Sequence, residues 1–201
     1  NDLAKAELLL QDRFEHIDNE SVVDVAYAGY RVLARLQFIR GGLDAGLNVL
    51  RLGQESAIRA KLPRLRGMLS ALEIHSLLLA GKSKEARQIA NECGFNKPEP
   101  LSLSQNSRPV VREMHKLVQA ALSLDGNLPK QAVILLDELV FQAEESGRLR
   151  LLIELFLMRS RAFQRLRQFE KAEVDLLRAL KIGAEGGFSR AFLDAGEEIH
   201  N

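Results

Sequence analysis

Asp125-Gly126-Asn127-Leu128-Pro129-Lys130-Gln131-Ala132-Val133 compresses a helix end, a tight turn and a helix start into nine residues. The Asp-Gly-Asn cluster stops a helix because its members support non-helical backbone. Pro129 opens the next one, since the N–H that proline lacks would go unbonded in a first turn anyway. Ala132 then stands just inside the second helix, where a larger side chain would hold the first helix away. Four further stretches have the same form: Leu3-Ala4-Lys5-Ala6-Glu7-Leu8, Leu43-Asp44-Ala45-Gly46-Leu47, Ser83-Lys84-Glu85-Ala86-Arg87 and Phe169-Glu170-Lys171-Ala172-Glu173. Their small residues fall at 6, 46, 86, 132 and 172, giving spacings of 40, 40, 46 and 40. Five residues before each stand Asn1, Gly41, Gly81, Asn127 and Arg167. All but the arginine tolerate the left-handed backbone of a tight inter-helix turn.

Between these turns the pattern is helical. Apolar residues recur at three and four, as at Leu151, Leu152, Leu155, Phe156, Phe163 and Leu166, and strict alternation is absent. Pro63 and Pro109 mark further helix starts. Gly41-Gly42, Gly81-Lys82-Ser83, Gly147 and Gly186-Gly187 mark stops. A hairpin buries one face internally and must bury the other on its neighbour, so copies at a fixed period stack. The expected fold is all-α: an α-solenoid of helix hairpins with a period of about 40 residues. Its divisions are a partial unit at 1–20, hairpins at 21–62, 63–108, 109–147 and 148–186, and the start of an exit helix at 188–201. The six extra residues of the third spacing fall in the Pro- and Ser-rich stretch 96–107, read as an insertion loop rather than a domain boundary.

A chain of 201 residues that is 46% hydrophobic can bury a substantial core. Twenty-eight basic against 27 acidic residues leave a formal charge of +1, so no global field points to nucleic acid or a membrane surface. No run of 18 apolar residues exists. The lone cysteine, Cys93, has no internal partner, suits a reducing cytoplasm and reads as buried or half-buried.

The chemistry of sites argues against an enzyme. His16, His75, His115 and His200 have no metal-ligand spacing. Gly81-Lys82-Ser83 imitates the end of a phosphate-binding loop, but that loop's first glycine would have to stand at Ser76, inside an apolar helical run. Adjacent acids such as Glu144-Glu145 diverge on a helix and cannot share a substrate. No cofactor and no metal are expected within the chain.

Binding is the more natural use, on the concave face that the first helices of stacked hairpins form. Arg31 and Arg35 are one turn apart with Phe38 three residues on, a stripe of two guanidinium groups and an aromatic. The repeat register points His75, Arg161, Gln164 and Arg165 the same way, and together these seven are the candidate contacts for an anionic or polar small ligand or an acidic peptide. The competing reading is that such arginines lay their stems over the adjacent repeat. Tyr27 and Tyr30 read as interhelix packing or as stacking platforms. The arginines between 148 and 167 read, with Glu154, Glu170, Glu173 and Asp175, as a network of surface pairs.

The hairpins resemble tetratricopeptide repeats, which prefer a small side chain seven residues before the turn; Ala34, Ala120 and Ser160 fit and Ile74 departs. With the closing segment Glu185-Gly186-Gly187-Phe188-Ser189-Arg190-Ala191-Phe192-Leu193-Asp194-Ala195-Gly196, the whole is similar to the central region of the large ATP-dependent LuxR-type transcription regulators of the MalT-like class. The resemblance implies a cytoplasmic, multidomain activator. ATP would be bound by an N-terminal domain and DNA by a C-terminal helix-turn-helix, and the repeats would sense a small inducer or a regulatory protein. A homodimer is compatible with apolar residues such as Leu3, Leu8 and Leu9 at the N-terminal end. The alternative is a general protein-interaction scaffold unrelated to transcription.

Overall fold

Every element of the structure, a computed structural model that describes residues 23–96 and 109–188, is a helix. The partial unit 1–20 and nearly all of the exit helix expected at 188–201 lie outside the described residues. The helices are α1 (Val23–Arg59), α2 (Pro63–Leu79), α3 (Ser83–Cys93), α4 (Pro109–Asp125), α5 (Pro129–Glu145), α6 (Leu149–Arg165) and α7 (Phe169–Gly186). Among the described residues there is no strand.

The period of 40 has a simple origin. Helices α2, α4, α5 and α6 each span 17 residues. Three-residue turns follow α1, α2, α4, α5 and α6, so helix plus turn advances the chain by twenty residues and a hairpin by forty. At each turn the middle residue is left-handed: Lys61 (φ 56°), Gly81 (71°), Asn127 (56°), Gly147 (63°) and Arg167 (57°). The residue after it donates its N–H back to the carbonyl five residues earlier: Leu62 to Ala57, Lys82 to Leu77, Leu128 to Ser123, Arg148 to Ala143 and Gln168 to Phe163, at 2.8 to 3.0 Å. This is the Schellman closure, which satisfies carbonyls that a helix end would otherwise leave bare. The same residue is the N-cap of the next helix, and at none of these five positions does its side chain cap it. One residue closes one helix and opens the next, which leaves Leu62 able to pack against the core.

The first hairpin turns differently. α1 contains a single non-helical residue, Gly42 (φ 74°, ψ −168°), in a region of backbone space open essentially to glycine alone. The register of the other turns places the left-handed residue at Gly41; the structure puts it one residue later. The two arms, 23–41 and 43–59, fold against each other about this point. Gly46 faces Phe38, whose ring a Cβ would overlap, and a Cβ on Gly53 would stand 2.7 Å from Tyr30 Cδ1. Among the described residues the small positions are buried. Ala86, Ala132 and Ala172 are buried opposite the buried Ile74, Ala120 and Ser160, and the Ser160 hydroxyl donates to the Ala172 carbonyl at 2.8 Å.

The described residues belong to two compact units whose division falls between 101 and 102, within the stretch read as a loop inside one array. In the first unit, α1 packs on α2 and α2 on α3. Tyr30, Leu50, Leu65 and Leu69 form the core with Ala26, Ala34 and Ala57. Helix α3 ends after 11 residues at the left-handed Gly94, and Phe95 folds back into the core. In the second unit, α4 to α7 pack in sequence. Helix α6 is buried on several faces, from Leu152 and Ile153 to Phe156, Met158 and Phe163. Tyr30 is 1% exposed and Tyr27 packs against the same cluster, so both tyrosines are core.

Candidate functional site

The seven candidate residues divide between the two units. Arg31 is exposed and Arg35 half-buried on the first arm of α1. Phe38 is turned into the hairpin against Gly46, which takes its ring out of the stripe. His75 is half-buried on α2. In the second unit Arg161 is half-buried and Gln164 exposed on α6. Arg165 reaches across to α4, where its guanidinium donates to the Leu124 carbonyl. That contact caps a neighbouring helix and fits the reading of arginines laid over an adjacent repeat.

The most developed polar cluster lies elsewhere. Arg159, two residues from Arg161, projects about 200° away around α6, toward the space between α5 and α7. Its Nε and Nη2 donate to the two carboxylate oxygens of Asp175 on α7, both at 2.7 Å, and its Nη1 donates to Asp137 on α5, also at 2.7 Å. Asp175 is only 2% exposed. Residue types alone suggest a surface pair; Asp175 is buried and Arg159 half-buried because α7 turns Asp175 toward α6, the face that also carries Ala172 and Ala179. In the repeat register, Asp175 occupies the position of Val49, Ile89 and Leu135, so a buried carboxylate stands where the other hairpins carry an aliphatic side chain.

Aromatic rings support the cations. The Arg159 guanidinium lies 5.5 Å from the Phe156 ring centre and 5.9 Å from that of Phe163. Arg178 sits over Phe156 at 4.4 Å and Lys171 over Phe163 at 5.5 Å. These contacts hold the charged heads by the ring quadrupole. Burial pulls the Arg159 pKa down, but the hydrogen bonds and charges of Asp175 and Asp137 outweigh it, and the net pKa is raised. Between α5 and α7 opens a groove of about 420 Å³, lined by Asp137, Arg159, Phe163, Lys171, Val174 and Arg178 among others. It is within the size range of small-molecule sites. A second buried acid, Glu73 (2% exposed), accepts from Arg51 at 2.7 Å and Gln54 at 2.6 Å between the second arm of α1 and α2, and ties one hairpin to the next.

Helices paired through left-handed turns at a twenty-residue pitch, with a small side chain at each close approach, define a helical hairpin-repeat protein. The chain belongs to the MalT-like tetratricopeptide-repeat family: the model of the MalT-like TPR region matches residues 1–201. Such a region is a sensing or interaction domain of a regulator. A search of curated proteins returned no match.

Proposed function

We propose that this chain is the effector-sensing and interaction region of a multidomain, cytoplasmic LuxR-type transcription activator, without catalysis of its own. The observation that carries this reading is the family match, which runs the length of the chain. A small inducer or a regulatory protein binds on the first helices of the hairpins, each unit taken by itself. Arg31, Arg35 and His75 are the contacts in the first unit, and Arg161 and Gln164 those in the second. ATP and DNA are handled by other domains of the longer polypeptide.

Stacked hairpins suit this role because their helices join through fixed three-residue turns, so a ligand bridging neighbouring helices biases how they pack. Its leverage on the neighbouring domains equals its difference in affinity for the two arrangements. The test is a promoter-reporter titration in the longer polypeptide. Arg31→Ala with Arg35→Ala should raise the inducer concentration needed for half-activation and leave DNA affinity in the absence of inducer unchanged. Unchanged induction by the double variant refutes the assignment of these contacts.

A further inference from the structure

We propose that the groove between α5 and α7 is a binding site for a small carboxylate with an apolar body, distinct from the face of the first helices. The site stands on the far side of α6 from Arg161, Gln164 and Arg165, and the inference goes beyond the effector reading.

Three observations support it. First, the groove already seats one carboxylate. Asp137 sits on Nη1 of Arg159, yet its side chain is 56% exposed and free to swing into solvent. Asp175, by contrast, is fixed at 3% side-chain exposure and holds Arg159 by its other two nitrogens. An incoming carboxylate can therefore exchange with Asp137 on Nη1 while Asp175 keeps the guanidinium oriented.

Second, each cation of the groove is held over an aromatic ring, and its exposed acids are not. Arg159 is balanced by Asp175, whereas the other acids lining the groove, Asp137 and Glu170, and Glu144 paired with Arg178, are all on exposed residues. Lys171 is held over Phe163 and forms no ion pair with any carboxylate among the described residues. Arg178 is held over Phe156, and its pairing with Glu144 is between side chains that are 48% and 38% exposed. With the movable acids swung out, the wall formed by α7 presents two cations flanking Val174, which is 55% exposed. Lys171, Val174 and Arg178 are three and four residues apart and share one stripe of the helix. An acid head belongs on the cations and an apolar body on the exposed Val174.

Third, stability alone does not account for the arrangement. A buried ion pair is usually no better than the apolar residues it replaces, and the other hairpins use Val49, Ile89 and Leu135 at the position of Asp175. Departures from a repeat's own rule are expected at functional or strained positions, and this one lies at the groove.

The experiment is a titration of the ¹⁵N-labelled chain with hexanoate, with acetate and 1-hexanol as the probes lacking the apolar body and the carboxylate. Saturable amide shifts centred on Asp137, Lys171, Val174 and Arg178 are expected with hexanoate, and weaker ones with either fragment. Lys171→Gln with Arg178→Gln should weaken hexanoate binding by about tenfold or more. Asp137→Ala should strengthen it, because the competing carboxylate is gone, a gain that a purely structural aspartate would not produce. Arg31→Ala should leave it unchanged. Shifts that do not saturate, shifts that persist in the double variant, or equal binding of 1-hexanol overturn the proposal.

Discussion

Replacing Arg159 and Asp175 together should cost far less than replacing either alone. Asp175→Leu removes two charge-assisted hydrogen bonds of 2.7 Å and leaves the guanidinium with Asp137 only. Because the Arg159 side chain is 13% exposed and can turn toward water, the loss should sit at or below the low end of the range for broken buried pairs, about 2–3 kcal/mol. Arg159→Met strands the deeper partner, a carboxylate with 3% side-chain exposure, and should cost about 3–4 kcal/mol. The double variant, Arg159→Met with Asp175→Leu, restores at position 175 the aliphatic character of Leu135 and should lie within about 1 kcal/mol of the parent. The coupling between the two sites is therefore several kcal/mol, far above the few tenths expected of independent positions. The chain has no tryptophan, so urea unfolding should be followed by helical circular dichroism and checked against tyrosine emission for coincident transitions. A double variant as unstable as the sum of the singles would refute the view that this pair is retained for something other than stability.

Gly42→Ala forces a side chain into backbone space that only glycine enters comfortably, and should destabilise the chain by about 1–3 kcal/mol in the same assay. Gly46→Ala should also destabilise, despite alanine's better helix propensity of about 1 kcal/mol, because its Cβ overlaps the Phe38 ring; a more stable variant would refute the close approach. Arg167→Gly removes a left-handed arginine at φ 57° and should add up to about 1 kcal/mol. The raised pKa of Arg159 makes its contribution fully present below the ordinary arginine value and lost only as pH climbs through the higher folded value. The stability difference between parent and Arg159→Met should therefore not shrink between about pH 7 and pH 10 on account of the arginine titrating.

The architecture was legible because backbone constraints write themselves into residue types. Pro63, Pro109 and Pro129 each open a helix, and the buried alanines at 86, 132 and 172 mark the close approaches. The twenty-residue pitch was half hidden, since Lys61 and Arg167 adopt the left-handed conformation without being glycine or asparagine; there the Schellman bond and the packing of both helices override the local preference. Adjacent glycines at 41 and 42 offered two places for one turn, and only the arm-to-arm packing of Phe38 on Gly46 and Tyr30 on Gly53 selects the second. The groove was harder to see. Its walls come from residues some forty positions apart, so no local motif contains it. The signal present in the sequence was Asp175 standing in register with Val49, Ile89 and Leu135, a comparison the search for small residues does not make. Conversely, the stripe Arg31-Arg35-Phe38 has the right helical spacing but loses its aromatic member to the hairpin core, because helical spacing fixes a face and not what covers it.

Thermal melting of the chain, alone and with sugars, organic acids, amino acids and aromatic metabolites at millimolar concentration, tests the sensing role most directly. A ligand of the native state at a hundred times its dissociation constant adds about 2.7 kcal/mol, a rise of about 5–10 °C for a chain of this length. A selective rise lost in the Arg31→Ala, Arg35→Ala variant is expected, whereas a rise with apolar carboxylates that survives in that variant belongs to the groove between α5 and α7. Melting curves that coincide across the whole panel would contradict a small-molecule sensor.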